Sequence, residues 1–305
     1  MKILDQASTA AALPYDRLVP ALARACRELV DGTIRAPERQ VVPIDAASVL
    51  LSMPAIGADI SATKLITVHG ENARHGLPAI QGEVIVFDTA TGRRLALLDG
   101  PTVTARRTAA MTLLGIDTLA ARKPASALLI GTGTQSRAHV EALAGFFGIE
   151  DFRIAGRSME SAARFCQALR VSHPGARFSP LSVEDIGEAP DVDLVIALTT
   201  ARSPVVPAVL AAHTLAVGVG AFKREMAELP PQLLRSRAIV VDDAPGARHE
   251  AGDLIQAGVD WSAVAPIGAI LSGKAPRPAG PAVFKTVGQA AWDLAAARVA
   301  LGSAG

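Results

Sequence analysis

Six consecutive residues, Gly131-Thr132-Gly133-Thr134-Gln135-Ser136, carry the sharpest chemical signal in the sequence. They follow the short apolar run Ser126-Ala127-Leu128-Leu129-Ile130 and open a helical stretch reaching Phe147, the setting that a dinucleotide-binding glycine turn requires. Gly131 would permit the tight turn and Gly133 would let backbone approach a pyrophosphate. Ser136 is small enough to pack where a third glycine often stands. The free N–H groups of the helix start, at Thr134, Gln135 and Ser136, would meet the anion there, with the helix dipole in its favour. A glycine-rich connection without a ligand is the plainer alternative. A second strand, Phe152 to Ala155, ends in Gly156-Arg157-Ser158, with no carboxylate to hold the 2′-hydroxyl of NAD. Arg157 and Ser158 suit a 2′-phosphate instead, so NADPH is the expected cofactor. NADH stays open if Arg157 is only a solvated surface residue. Thr199 and Thr200 follow the apolar run Leu194 to Leu198, at the strand end where doubly wound sheets hold ligands.

The other residues with chemical potential are cations set among apolar neighbours. Lys64 interrupts the run from Ile60 to Ile66, Arg106 and Arg107 precede Thr108-Ala109-Ala110, and Arg39 lies in the loop Ala36-Pro37-Glu38-Arg39-Gln40. Position alone leaves each open to a solvated reading, because strand lysines and helix arginines are mostly exposed. The six histidines show no HxH or HxxxH spacing, and Cys26 and Cys166 form no CxxC pair. No metal centre and no disulfide framework are expected.

The elements that must position these groups fall into two textures. Leu18, Leu22, Ala25 and Leu29 recur at helical spacing between Asp16 and Val30, with Pro20 expected in the first turn. From Val41 to Leu98 short β segments follow, ending in a hairpin turned at Thr89-Ala90-Thr91-Gly92. A helix over Val103 to Ala121 leads away. From Ala125 onward, strands and helices alternate, with further strands at Leu194–Ala197, Thr214–Val217 and Ala238–Val241. That alternation predicts an α/β fold, a Rossmann-type doubly wound parallel sheet, beside an α+β domain of antiparallel character. The expected domains are 1–120 with 287–305, and 121–286. An Ala-rich helix ends the chain.

Composition narrows the partners. The 305 residues are half hydrophobic and carry 30 basic against 29 acidic side chains, so no field is available to grip nucleic acid or an anionic membrane. No apolar stretch approaches the roughly 20 residues of a membrane span, and the N-terminus lacks a signal-peptide run, so a cytoplasmic protein with a small-molecule partner is expected. Aromatic residues make up only 4%. Tyr15, Trp261 and Trp292 read as packing residues, Cys26 as a buried filler, and His139 as structural or exposed.

Several segments in order resemble the ornithine cyclodeaminase/mu-crystallin family. They are Lys64-Leu65-Ile66-Thr67-Val68, the hairpin end Leu98-Asp99-Gly100, and Thr104-Ala105-Arg106-Arg107-Thr108-Ala109-Ala110, then the glycine turn, Ala216-Val217-Gly218 and Val283-Phe284-Lys285-Thr286-Val287-Gly288. The resemblance implies a homodimer whose first domain builds the dimer interface and substrate pocket while the second binds the nicotinamide nucleotide. It places substrate-carboxylate ligands on Arg39, Lys64 and Arg107, and cofactor contacts on Arg107, Thr108, Gly218 and Thr286. His249 and Glu250 align with a family loop near the substrate, although a solvated helix start explains them equally well.

One departure from the pattern steers the choice of reaction. Cyclodeaminases of the family resemble Ala-Val-Gly-Gly-Asp after the fifth strand, the aspartate acting as acid and base, whereas this chain reads Ala216-Val217-Gly218-Val219-Gly220. With Gly220 at that position the general base of deaminating ring closure is missing. The resemblance then implies a ketimine reductase acting on Δ1-pyrroline-2-carboxylate and Δ1-piperideine-2-carboxylate, with Lys64, its pKa lowered, supplying or ordering the proton. An ornithine cyclodeaminase, an alanine dehydrogenase and a non-catalytic NADPH-dependent binder are the alternatives.

Overall fold

The computed structural model describes residues 1–187 and 190–302. Residues 188–189 and 303–305, which the expected domain ranges include, lie outside the described residues. Contacts divide the chain into two units, Met1–Ala110 with the segment from Gly288 onward, and Met111–Val287.

The first unit begins with β1 (Lys2–Leu4), α1 (Gln6–Ala12) and α2 (Tyr15–Val30). Leu18, Leu22 and Ala25 are buried as the spacing predicts, but Pro20 lies inside the second turn rather than the first. Helical bonding starts with Leu18 N–H donating to Pro14 C=O, so Pro20 forgoes an interior hydrogen bond. Burial of the apolar face holds the helix despite this loss. Then come β2 (Gln40–Pro43), β3 (Ser48–Ile56), β4 (Ile60–His69), β5 (Ile80–Asp88) and β6 (Arg94–Asp99), in the order β1-β6-β5-β4-β3-β2. All neighbours are antiparallel except β1, which runs parallel to β6. Because strand side chains alternate, Met53, Lys64, Val84 and Leu98 fall in register on one face and are buried. Leu65 points the other way and is 41% exposed. Asp99 starts α3 (Gly100–Leu119) by accepting the Thr102 N–H at 2.8 Å. This helix begins in the first unit, and its contacts pass to the second after Ala110.

The second unit alternates β7 (Ser126–Ile130), α4 (Thr134–Phe147), β8 (Asp151–Gly156), α5 (Met159–Ser172), β9 (Arg177–Ser182) and β10 (Leu194–Ala197). After them follow β11 (Leu215–Gly218), α6 (Pro231–Ser236), β12 (Ala238–Val241), α7 (Ala244–Glu250), α8 (Gly252–Ala257), β13 (Ala265–Pro266), α9 (Ile267–Leu271) and β14 (Ala282–Lys285). The eight strands are all parallel, ordered β13-β12-β14-β11-β10-β7-β8-β9. The sheet is the α/β doubly wound one that the alternation predicts. β10 and β11 are buried at every position, as a sheet covered on both faces demands. β9 escapes sequence reading because an edge strand of Arg-Phe-Ser-Pro-Leu-Ser tolerates polar residues and proline.

The final helix, α10 (Ala290–Leu301), belongs to the first unit and packs on α2, β3 and β4. It starts three residues later than the sequence suggests, after Gln289 caps it by accepting the Ala291 N–H. Every residue from Ala290 to Val299 is buried, so the helix has no polar face. Its two charged residues therefore need partners. Arg298 finds Asp59 and Glu28, the former at 2.7 Å, and Asp293 finds the cations described next.

Candidate active site

The first unit brings Lys64 and Arg107 onto Asp293, with Arg39 joined to them through Gly288. The Lys64 ammonium, 1% exposed, donates to Asp293 Oδ1 at 3.2 Å and lies 2.9 Å from Oδ2. Arg107 is also buried, with Nε 3.3 Å from Oδ1. Its outer nitrogens lie beneath Gly288, where an added Cβ would stand 2.9 Å from one of them and where φ is +83°. Only glycine fits comfortably there. The Gly288 carbonyl accepts Arg39 at 2.9 Å, which ties the half-buried Arg39 to the same cluster. Arg106, one residue from Arg107 and on another face of α3, donates to Leu13 C=O and lies over the Tyr15 ring. The two adjacent arginines thus have separate tasks.

Lys64 and Arg107 share one buried carboxylate, and Lys64 feels the imbalance. Burial pushes its pKa down to about 8, Arg107 and Arg39 add to that shift, and Asp293 opposes it. This arrangement can hold a small carboxylate and can give up a proton near neutral pH. Among the described residues no group of His, Cys, Asp and Glu is arranged to hold a metal ion, and no helix is long and apolar enough to cross a membrane.

In the second unit the residues singled out for a nucleotide gather at the carboxyl ends of the strands. Ile130, Ala155, Ala197, Gly218 and Lys285 stand in register there, across β7, β8, β10, β11 and β14. Gly131 adopts φ +127°, and a Cβ on it would come within 2.6 Å of Leu198 C=O. Gly133 is the N-cap of α4 without any side-chain cap, and a Cβ there would meet nothing within 4 Å. Uncapped N–H groups beside open space suit a pyrophosphate, so the turn fits a dinucleotide. Thr134 is exposed and Gln135 half-buried, whereas Ser136 is wholly buried against the turn and acts in packing. Arg157 is exposed after β8, and Ser158 caps α5 in a capping box with Ser161. Thr200 is exposed, and Thr108 is buried in α3 of the first unit. Gly218 is closely covered by Leu229 and Lys285, and the buried Thr286 donates its hydroxyl to Asp242 at 2.7 Å. Thr286 therefore retains only acceptor capacity for a ligand.

The Gly220 position holds a surprise. A carboxylate does reach it, from Glu228, eight residues on. Glu228 Oε2 accepts the N–H groups of Gly220 (2.7 Å) and Ala221 (3.0 Å), while Oε1 accepts the N–H (2.6 Å) and hydroxyl (3.0 Å) of Thr199. Burial raises its pKa, with Lys285 pulling the other way. Four donors occupy this fully buried carboxylate, so it braces two loops and is not free to deprotonate an amine. A Cβ on Gly220 would lie 1.9 Å from Thr199 C=O and 2.6 Å from Glu228 Oε1.

Sequence reasoning missed Asp293, Glu228 and the buried Lys285–Asp253 pair, whose charges lie 3.6 Å apart. Asp293 does leave a trace: a lone acid in Ala-Ala-Trp-Asp-Leu-Ala-Ala-Ala, a run with no polar face, implies a buried cation nearby. Glu228 sits in a loop and leaves none. His139 is buried and structural. Its Nδ1 donates to Gln135 C=O, so Nε2 accepts from Thr112, and burial lowers its pKa to about 4. His249 is exposed in the last turn of α7. Gly220→Asp is expected to lower stability by about 1–3 kcal/mol or more, since the new side chain must displace Thr199 backbone. Chemical denaturation measures this, and a variant as stable as wild type would contradict the packing described.

Comparison with known proteins adds three relatives. The chain is 47% identical over 298 residues to the Delta(1)-pyrroline-2-carboxylate/Delta(1)-piperideine-2-carboxylate reductase of Azospirillum brasilense, covering 98% of this chain and 94% of that one. It is 32% identical to the ketimine reductase mu-crystallin of Mus musculus, covering 88% of this chain and 85% of that one. Among solved structures it matches the Delta(1)-pyrroline-2-carboxylate reductase of Thermococcus litoralis in complex with NADH and L-proline. That match has TM-score 0.89 and 26% identity, and covers 100% of this chain and 97% of the other. A family model matches residues 2–304, nearly the whole length, and with these relatives it establishes that the chain belongs to the ornithine cyclodeaminase/mu-crystallin family.

Proposed function

We propose that this protein is an NADPH-dependent ketimine reductase. It would convert Δ1-pyrroline-2-carboxylate to proline and Δ1-piperideine-2-carboxylate to pipecolate. The observation that carries the reading is the buried cluster of Arg39, Lys64 and Arg107 with Asp293 as counter-ion. Two buried cations on one carboxylate leave positive charge for an anionic substrate. The printed activities of the Azospirillum brasilense and Thermococcus litoralis relatives support the substrate class. In this division of labour the first unit holds substrate and the second holds the nucleotide.

The chemistry asked of the chain is modest. Arg107, whose Nε faces Asp293, has its two outer nitrogens for the substrate carboxylate, and Arg39 adds a second guanidinium. When bound, the reduced nicotinamide supplies the hydride to the imine carbon. Lys64 gives the imine nitrogen its proton, so one hydride at carbon and one proton at nitrogen turn C=N into CH–NH. Holding the carboxylate converts a bimolecular encounter into an oriented one. The filled space at Gly220 and the fully engaged Glu228 speak against deamination of ornithine by an aspartate-type base. Arg157 and the helix start at Ser158 support a 2′-phosphate, and hence NADPH over NADH.

A homodimer completes the proposal. The sheet face opposite Lys64 carries Val42 and Leu65, 44% and 41% exposed, with Leu50, Ile85 and Leu97 half-buried beside them. Apolar residues exposed on a sheet face, with Ser52, Thr63 and Glu83 between them, suit a second copy.

Loss of NADPH absorbance on adding either ketimine is the expected outcome, with the rate falling above about pH 8 as Lys64 loses its proton. Lys64→Met should lower kcat by about 10²-fold or more. Ammonia release from ornithine, alanine oxidation, or ligand binding without turnover would each replace this reading. Arg157→Ala should raise KM for NADPH by about tenfold, the worth of one charge-assisted contact, and leave that for NADH nearly unchanged. An unaltered preference would overturn the cofactor assignment. Light scattering should give twice the 31.4 kDa chain mass, and Leu65→Glu should give a monomer. A monomeric wild type removes the dimer.

A further inference from the structure

We infer that Asp293 is a positioning residue whose negative charge keeps Lys64 protonated and aimed, and so sets the pH range over which the enzyme reduces its substrate. This rests on the reductase reading above. The carboxylate is reached from three elements: Lys64 on β4, Arg107 on α3, and Asp293 itself on α10. Arg39, before β2, is the remaining charged group acting on Lys64. The strand neighbours facing Lys64, Met53 and Val84, are uncharged.

The geometry separates two jobs. Asp293 takes one proton of Lys64 through Oδ1, and Oδ2 lies close without an aligned hydrogen. An ammonium carries three protons, so two remain for a substrate. The same carboxylate draws in the Nε side of Arg107, whose outer nitrogens lie beside Gly288. Asp293 thus orients both the proton donor and the carboxylate clamp without occupying the face either would present to substrate.

Charge makes the arrangement necessary. A buried ammonium beside two guanidinium groups would shed its proton to relieve repulsion, and an amine cannot donate to an imine. Among the groups acting on Lys64, Asp293 supplies the negative charge that opposes this, and its neighbours Trp292 and Leu294 on α10 are apolar and wholly buried. Substrate then adds a second carboxylate, which strengthens the hold on the proton at the moment it is needed.

The test is the pH profile of kcat/KM for NADPH oxidation with Δ1-pyrroline-2-carboxylate, in wild type, Asp293→Asn and Asp293→Glu. Asn keeps shape and one acceptor but removes the charge. Its alkaline limb should move down by about 1–3 pH units, costing tenfold or more at pH 8, with most of the rate recovered near pH 6. The imine pKa of the substrate is common to all three enzymes, so a displacement between profiles belongs to the protein. Asp293→Glu keeps the charge, and its limb should stay within about half a unit of wild type even if kcat drops. If the Asn variant does not fold, the Glu profile decides alone, and a limb displaced by more than a unit overturns the proposal. In a Lys64→Met background, Asp293→Asn should no longer move the alkaline limb, because that displacement runs through Lys64, and a limb that still moves overturns the proposal. An Asn profile lowered equally at every pH, or unmoved, overturns the role of Asp293 while leaving a reductase. A wild type inert toward ketimines overturns both.

Discussion

The buried charge balance around Asp293 is the constraint on which the first unit depends. Taking an ammonium and a guanidinium out of water costs several kcal/mol each unless they are paired. Here a single carboxylate serves both, on a helix that apart from Asp293 and Arg298 is made of alanine, leucine, valine and tryptophan. That helix comes from the end of the chain, while Lys64 and Arg107 come from its first third. The charge pairing therefore joins distant sequence into one core, and α10 cannot leave without stranding two cations. The second bridge from the same helix, Arg298 to Asp59 and Glu28, fixes its other end in the same way.

The second unit solves a different problem by different means. Its ligand end is built largely from backbone: a turn at Gly131 that tolerates no side chain, an uncapped helix start at Gly133, and loops drawn together by Glu228. Small aliphatic residues fill the parallel sheet, which is why aromatic content can be so low. Arg157 stands exposed at the margin, after β8, where a replacement leaves the strands beneath undisturbed.

Much of this architecture is legible in the amino-acid order because it is local. The glycine turn, its strand and its helix form one contiguous segment, and the hairpin announces itself through Asp88, Thr91 and Gly92, whose hydrogen bonds are short-range. Lys64 stood out as a charge in an apolar strand, but its burial and its partner could not be read, since Asp293 is 229 positions away. Pro20 shows the reverse failure, in which a local rule about first turns yielded to packing of the rest of α2. Glu228 had no local signal at all, as a loop residue whose meaning comes wholly from the four donors it meets.

Those four donors bear on how activities diverge within such a family. Thr199, Gly220 and Ala221 are clasped to one side chain, so the loops after β10 and β11 behave as a single piece. Placing an acid at position 220 requires Glu228 to withdraw and the Thr199 loop to shift in the same step. Neither change alone leaves a satisfied interior, because one adds bulk where none fits and the other strands four polar groups. The path from this chain toward an aspartate-bearing relative therefore crosses a valley of less stable intermediates, and the glycine is held in place by its neighbours as firmly as by its own use.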